Sequence, residues 1–244
     1  MANDRIIQGL WIGEALSNLE RLSIRSFLAH GHDFHLYTYQ AVDRVPPGTV
    51  MKDAREILPE SRIFRYWKHP SYAGFANFFR YKLLSERGGW WVDTDVICLQ
   101  PFDFADDHVF GAEWTSDGGS TPSSGFLKAP AGSDALAFAW ARCLANDPAA
   151  LTWGETGPRL VAEAIRRYDL DGSVQNPDTF APLPYQDWER VLDPLDRFEI
   201  PSTSHAIHLW NEMWRRNDRD KDASYHPDCL YERLKARYPA ESVV

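Results

Sequence analysis

Tyr72-Ala73-Gly74-Phe75-Ala76-Asn77-Phe78-Phe79-Arg80-Tyr81-Lys82-Leu83-Leu84-Ser85-Glu86-Arg87 runs straight into Gly88-Gly89-Trp90-Trp91-Val92-Asp93-Thr94-Asp95-Val96-Ile97. The first part sets apolar side chains nearly all the way round a helix, which predicts a largely buried helix stopped by the glycine pair. Asn77 and Arg80, three residues apart, share one face of it. A guanidinium cannot shed its charge, so inside a buried helix Arg80 needs a carboxylate, a phosphate or a row of carbonyls. The other reading puts Arg80 on a narrow solvent stripe with Lys82 and Arg87. The second part reads as a strand or a strand-turn-strand, ended by Pro101. If it is extended, Trp91, Asp93, Asp95 and Ile97 point one way and Trp90, Val92, Thr94 and Val96 the other. Two carboxylates on one strand face, after a bulky apolar run, call for a cation between them. Mg²⁺ or Mn²⁺, with oxygen ligands, is the simplest solution. Asp-x-Asp alone is a weak signal; after an arginine-bearing buried helix, a glycine break and an aromatic strand it is a much stronger one.

Upstream, Ile6 to Ile12 reads as a short buried strand, followed by Leu16, Leu19, Leu22, Ile24, Phe27 and Leu28 near helical spacing and by a stop at Gly31. Phe34 to Tyr39 reads as a second strand. This β-α-β opening predicts an α/β fold with a mostly parallel sheet flanked by helices. Trp11 ends the first strand in Trp11-Ile12-Gly13, where such sheets deliver residues to a ligand crevice; core packing is its plain alternative. Met51 to Leu58 reads as a short helix. Downstream, Val109–Ala112 and Gly125–Ala129 read as strands separated by a polar loop, and Ala206 to Trp210 as a late strand. Helices are expected at Ser133–Ala145, Gly157–Tyr168 and Asp228–Arg237. No repeat or linker divides the chain, so residues 1–244 read as a single domain.

Two late features remain. His205-Ala206-Ile207-His208-Leu209-Trp210-Asn211-Glu212-Met213-Trp214 gathers two imidazoles and two indoles. His208 is a candidate third metal ligand and Trp214 a candidate cover for a donor, against a packing role for each. Glu155, in Gly154-Glu155-Thr156-Gly157-Pro158, either faces a substrate or is a helix-start acid.

A net charge of −9 over 244 residues lacks the basic footprint of a nucleic-acid binder, so no nucleic acid is expected as partner. Three scattered cysteines, Cys98, Cys143 and Cys229, form neither a CxxC pair nor a disulfide framework, which points to a reducing compartment. No signal peptide precedes the first strand and no apolar run reaches membrane-spanning length. The expectation is a cytoplasmic protein whose contact with any membrane-linked acceptor is transient.

At Asn77-Phe78-Phe79-Arg80, Leu83-Leu84, Gly88-Gly89, Trp90-Trp91-Val92 and Asp93-Thr94-Asp95 the chain resembles the DXD-containing glycosyltransferases with a GT-A fold. The resemblance is to the family-32 type sugar transferases and, more distantly, to the catalytic domains of clostridial glucosylating toxins. Trp11-Ile12-Gly13 resembles the toxins' donor-base strand. Thr156-Gly157-Pro158 and the His208–Trp214 stretch resemble later family signatures. The resemblance implies a single GT-A-like domain, with residues 1–100 as its nucleotide-sugar and metal-binding half and residues 101–244 as its acceptor-side half. It implies a nucleotide-sugar donor (UDP-sugar before GDP-sugar), a saccharide or glycoconjugate acceptor, and retention of anomeric configuration. It also implies donor contacts from Trp11, Ile12, Gly13, Asn77, Arg80, Thr94, Glu155 and Trp214, and a cation, Mn²⁺ or Mg²⁺, held by Asp93, Asp95 and His208. Asp93, Asp95 and Arg80 would carry the chemistry. Two positions depart from the pattern: Asn77 stands where the family usually has Asp, and Gln8 where it has a His near the first strand.

Two rival readings belong to other classes. Asp93-Thr94-Asp95-Val96 loosely fits the nucleophile motif of haloacid-dehalogenase-type phosphohydrolases, with Asp93 as nucleophile and Asp106-Asp107 as metal acids. That motif, however, normally opens its fold, and here two β-α units precede it. The other rival is a sugar-nucleotide binding module without turnover.

Overall fold

The computed structural model describes residues 5–67, 70–196 and 198–240; the reading of Met1–Asp4 as a direct lead into the first strand lies outside them. Strand β1 (Ile6–Trp11), helix α1 (Asn18–Ala29) and strand β2 (Asp33–Thr38) form the expected β-α-β unit, with Ile6 opposite Asp33 and Trp11 opposite Thr38 in parallel register. Helix α1 starts where the sequence offers a capping box. The Ser17 side chain accepts from the Leu19 N–H, and the Glu20 carboxylate accepts from the Ser17 N–H at 2.8 Å.

The segment after β2 differs from expectation. Val50–Asp53 is a short edge strand, β3, parallel to β2, and only Ala54–Glu56 turns, as a single 3-10 turn capped by Asp53. The apolar residues that suggested a helix, Ile57 and Leu58, are buried beyond that turn. A four-residue edge strand carries too little alternation to be told from a helical turn.

Helix α2 (Ala73–Arg87) is buried on nearly every side, as its composition requires. It stops at Gly88, whose φ of +65° suits glycine. A Cβ there would lie 2.4 Å from the Ala131 nitrogen, so the residue is fixed by space as well as by dihedral. Strand β4 (Gly89–Val92) then enters the sheet parallel to β1. Next come β5 (Val96–Cys98), β6 (Val109–Trp114), β7 (Ser120–Ala129), α3 (Asp134–Ala145), α4 (Pro158–Arg167), α5 (Pro177–Phe180), β8 (Ala206–His208), α6 (Asn211–Arg216) and α7 (Leu230–Arg237).

Six strands form one sheet in the order β3-β2-β1-β4-β7-β6, with β7 antiparallel to both β4 and β6. The fold is therefore α/β, with the expected mostly parallel sheet, in which β7 alone runs against the other strands. Strands β5 and β8 pair separately, Val96 opposite His208. Three apolar clusters fill the interior. One joins α2, α3 and α4 to the sheet, and a second lies around Trp90 and Phe102. The third is built by the C-terminal segment around Trp214 and Tyr231.

Candidate active site

The Asp-x-Asp segment is a turn, not a continuous strand. Strand β4 ends at Val92, the Val96 N–H returns to the Asp93 carbonyl at 3.2 Å, and β5 begins at Val96. Of the two readings of this segment the strand-turn-strand holds: Asp93 and Asp95 do not share a strand face, and the turn brings their carboxylates together. Asp93 stays tied to the sheet through its N–H, which donates to the Gly125 carbonyl at 3.0 Å.

Asp93 is held by α2. Arg80, its side chain 3% exposed, places Nη2 3.0 Å from Asp93 Oδ1. The same guanidinium donates Nη1–H to the Ser124 carbonyl and Nε–H to the Ala76 carbonyl, and its Cζ lies 4.9 Å from the Trp91 ring centroid. Trp91 adds its indole N–H to Asp93 Oδ1 at 3.0 Å. Arg80 is thus the buried cation with a carboxylate partner, and the solvent-stripe alternative falls.

Asp95 is held from the other end of the chain. His208 Nε2 lies 3.0 Å from Asp95 Oδ2, and the Asn211 N–H donates to the same oxygen at 2.7 Å. Trp210 makes the second contact possible. It sits in the left-handed region at φ 56°, ψ 54°, which turns the chain so that the first N–H of α6 faces the carboxylate. The Trp210 ring lies 3.9 Å from that of His208, and Phe126 meets the imidazole edge-on at 5.4 Å. Burial opposes charge on both partners. Their mutual attraction and the hydrogen bonds outweigh it, so the Asp95 carboxyl lies below its ordinary range and the His208 imidazole above. The His208 Nδ1 is buried without a hydrogen-bond partner, and aromatic packing holds the ring.

Asp93, Asp95 and His208 each offer a ligand atom, and these atoms lie within 4.8 Å of one another. The donor set suits a hard-to-borderline divalent ion. Adjacent corners of an octahedron with bonds near 2.1 Å are roughly 3 Å apart, and the Asp95–His208 atoms are separated by 3.0 Å. The residues present fit a Mg²⁺- or Mn²⁺-sized ion.

The remaining candidates divide. Trp11 ends β1 half-buried, its indole nitrogen over Gly13 and without a partner, and Lys221 Nζ lies 5.6 Å from the ring centroid. Ile12 packs against the core, and the Thr94 methyl lies against Gly9. Asn77 is buried one turn before Arg80, and its Nδ2 donates to Thr156 Oγ1 at 3.3 Å. Glu155 turns away, accepting from the Thr152 N–H and hydroxyl; its neighbour Thr156 reaches α2 instead. Trp214 is fully buried in the third cluster, with its indole N–H on the Leu209 carbonyl and Tyr231 edge-on at 4.9 Å. Of the two indoles in the late stretch it is Trp210, not Trp214, that packs on His208; neither it nor Asn211, Ser124 and Thr156 carries a site role in the reading of the sequence. The rarely occupied backbone state of Trp210 has no signature in sequence, since non-glycine residues there are few. Gln8 spans α2 and β4, donating to the Gly88 carbonyl at 2.9 Å.

Residues 16–114 match the family described as "Glycosyltransferase sugar-binding region containing DXD motif". Residues 149–240 match "Alpha 1,4-glycosyltransferase conserved region". Human alpha-1,4-N-acetylglucosaminyltransferase is 25% identical over 184 residues, which cover 66% of this chain and 51% of that protein. Human lactosylceramide 4-alpha-galactosyltransferase is 27% identical over 74 residues, 25% of this chain and 21% of that one. This chain thus spans about half the length, or less, of these relatives. Among solved structures, the glycosyltransferase GlyE of Streptococcus pneumoniae TIGR4 superposes with a TM-score of 0.50 at 12% identity, over 98% of this chain and 66% of that one; that likeness speaks to the fold alone. The first matched region contains Asp93 and Asp95 and the second contains His208, so the site lies where the chain is similar to DXD-containing glycosyltransferases, on an α/β sheet of GT-A type.

Proposed function

We propose that this protein transfers a sugar from a nucleotide-sugar donor to a saccharide or glycoconjugate acceptor, with a divalent cation at Asp93, Asp95 and His208. The observation that carries the reading is the meeting of those three side chains from segments more than a hundred residues apart. A cation held there would offset the charge that develops on the diphosphate as the bond to sugar C1 breaks. The chain's own residues prepare that point. Arg80 and Trp91 fix the Asp93 carboxylate, while Asn211 and His208 fix Asp95, so little reorganisation is left for the reaction itself. Trp11 is suited to stack on the donor base, and Asn77 to meet a donor hydroxyl. The α-linked products in the relatives' names accord with retention of configuration.

Residues 1–100 supply the donor-facing strands and both aspartates in this reading, and residues 101–244 supply the acceptor side together with His208. Among the described residues no helix is long and apolar enough to cross a membrane. Cys98, Cys143 and Cys229 are free and buried, which accords with work in a reducing compartment such as the cytoplasm. The phosphohydrolase reading is the weaker one, because two β-α units precede Asp93 and the metal acids it would need, Asp106 and Asp107, are exposed on a loop.

The test is a thermal-shift panel of UDP-, GDP- and CMP-sugars with and without Mn²⁺, followed by donor turnover. A nucleotide sugar that binds the native state raises its melting temperature by mass action. Cation-dependent stabilisation by one donor class, with turnover lost in EDTA, is the expected result. Full turnover after exhaustive chelation would overturn the cation's role, and cation-dependent binding without any turnover would favour the binding-module reading.

A further inference from the structure

Beside the Asp93–Asp95–His208 cluster lies a carboxylate that none of the motifs contains. Glu113 stands on β6 opposite Thr121 of β7, next to an irregularity in the β6–β7 ladder. Phe110 pairs with Leu127, but Ala112 pairs with Pro122, so extra residues of β7 bulge out between them. Bulges re-aim side chains that a regular ladder would alternate. The Ser123 hydroxyl, 2% exposed, hydrogen-bonds the Glu113 side chain and accepts from the Gly125 N–H at 3.1 Å. Gly125 in turn lies against Asp93: a Cβ there would be 3.1 Å from Asp93 Oδ2 and 3.4 Å from Ser123 Oγ. The bulge therefore carries Glu113 toward the aspartate turn through contiguous atoms, and a glycine keeps the space between them open.

The charges around Glu113 do not balance. Its charged neighbours are His208, which attracts it, and Asp93, which repels it, and burial pushes its carboxyl above the ordinary range. Arg80 is committed to Asp93, and His208 to Asp95. Partly buried negative charge without a cation of its own is unfavourable unless something positive joins it. With Asp93 offset by Arg80, and with the His208 imidazole neutral whenever it ligates, the carboxylates left to balance a divalent ion are Asp95 and Glu113. Glu113 is not one of the groups within direct reach of a common ion.

We propose that Glu113, aimed by Ser123, is an outer carboxylate of the cation site: without ligating the ion it would add negative charge beside it and so raise the site's affinity for divalent cations. It is a positioning residue, and the inference rests on the reading of Asp93, Asp95 and His208 as ligands.

The experiment measures Mn²⁺ binding alone, without nucleotide, by the loss of the free-ion EPR signal, together with the metal-free melting temperature. Glu113→Gln keeps the shape and a hydrogen-bonding group for Ser123 but removes the charge. Removing an outer partner of a metal site commonly weakens metal binding about 10–100-fold, and we expect at least tenfold here. The metal-free protein should melt no lower than wild type, since burial of the charged carboxylate is the largest influence on Glu113 and the substitution removes that cost. Ser123→Ala leaves the charge but frees the carboxylate, and its Mn²⁺ affinity should fall between the two. A folded Glu113→Gln protein that binds Mn²⁺ within twofold of wild type overturns the inference while leaving the three ligands untouched. So does a lowered metal-free melting temperature with unchanged Mn²⁺ affinity, which would mark Glu113 as structural. Failure of the wild type itself to bind Mn²⁺ overturns both this inference and the ligand reading beneath it.

Discussion

Replacing Arg80 by Met keeps the bulk on α2 and withdraws the charge. Arg80 Nη2 lies 3.0 Å from Asp93 Oδ1 with only 3% of the arginine side chain exposed, so the substitution strands a carboxylate in a confined place. Breaking a buried pair from one side is destabilising by about 3–5 kcal/mol. Asp93 retains 29% of its side-chain surface and the Trp91 indole N–H, which places Arg80→Met near the lower end, about 3 kcal/mol. For a chain of this length that is roughly 6–12 °C in melting temperature. Arg80→Lys should fall by less, about 1–2 kcal/mol, because an ammonium can meet Asp93 or the Ser124 carbonyl but lacks the planar fork that serves both. The deciding assay is a double-mutant cycle by chemical denaturation with Arg80→Met, Asp93→Asn and the pair. If the pair is as close as its geometry shows, the double variant should be more stable than the sum of the singles allows, with a coupling of roughly 1–3 kcal/mol. A coupling below about 0.5 kcal/mol, within ordinary additivity, would refute the claim that Arg80 exists to hold Asp93. Arg80 would then be read as a donor-binding cation whose contact with Asp93 is incidental.

Three further outcomes follow from the geometry. Trp11→Ala should weaken nucleotide binding by about 1–3 kcal/mol, the range for base stacking, while melting temperature changes little; calorimetry on the folded protein checks this, and a large loss of stability with unchanged affinity contradicts it. Trp214→Ala should lose about 3–5 kcal/mol of stability, as a fully buried indole with a satisfied N–H does; whatever nucleotide binding the folded fraction shows should be near wild type. His208→Ala should raise the Mn²⁺ concentration needed for half-maximal turnover, with His205→Ala as the control, because His205 contacts the Pro101 carbonyl and not the carboxylates. An equal effect of the two substitutions would count against ligation by His208.

What could be read from the sequence and what could not follows from the range of the forces involved. Helix α2 was legible because burial on all sides, a central arginine and a glycine stop are local features that only a buried helix reconciles. The need of Arg80 for a partner was legible from charge alone, and the partner was close in sequence. Strand β3 was not, because four exposed or half-exposed residues at a sheet edge carry no periodicity. The joining of Asp93 to Asp95 was legible, but not its geometry, because a strand and a strand-turn-strand fit the same residues. Alternation along a strand would have aligned them, whereas a turn between β4 and β5 does so, and only the pairing of β5 with β8 then fixes where His208 meets Asp95. The choice between Trp210 and Trp214 rests on whether the chain turns left-handed at 210. Both residues fit an aromatic cover equally well on paper; the structure packs Trp210 on His208 and Trp214 in the core. Glu113 was invisible for the same reason, since a bulge in β7, set by the packing of two antiparallel strands, brings it to the site. The sequence thus displays the charges that a site must balance, while long-range pairing determines which of them balance one another. For that reason the coupling between Arg80 and Asp93, and the effect of Glu113 on cation affinity, test the fold and the chemistry together.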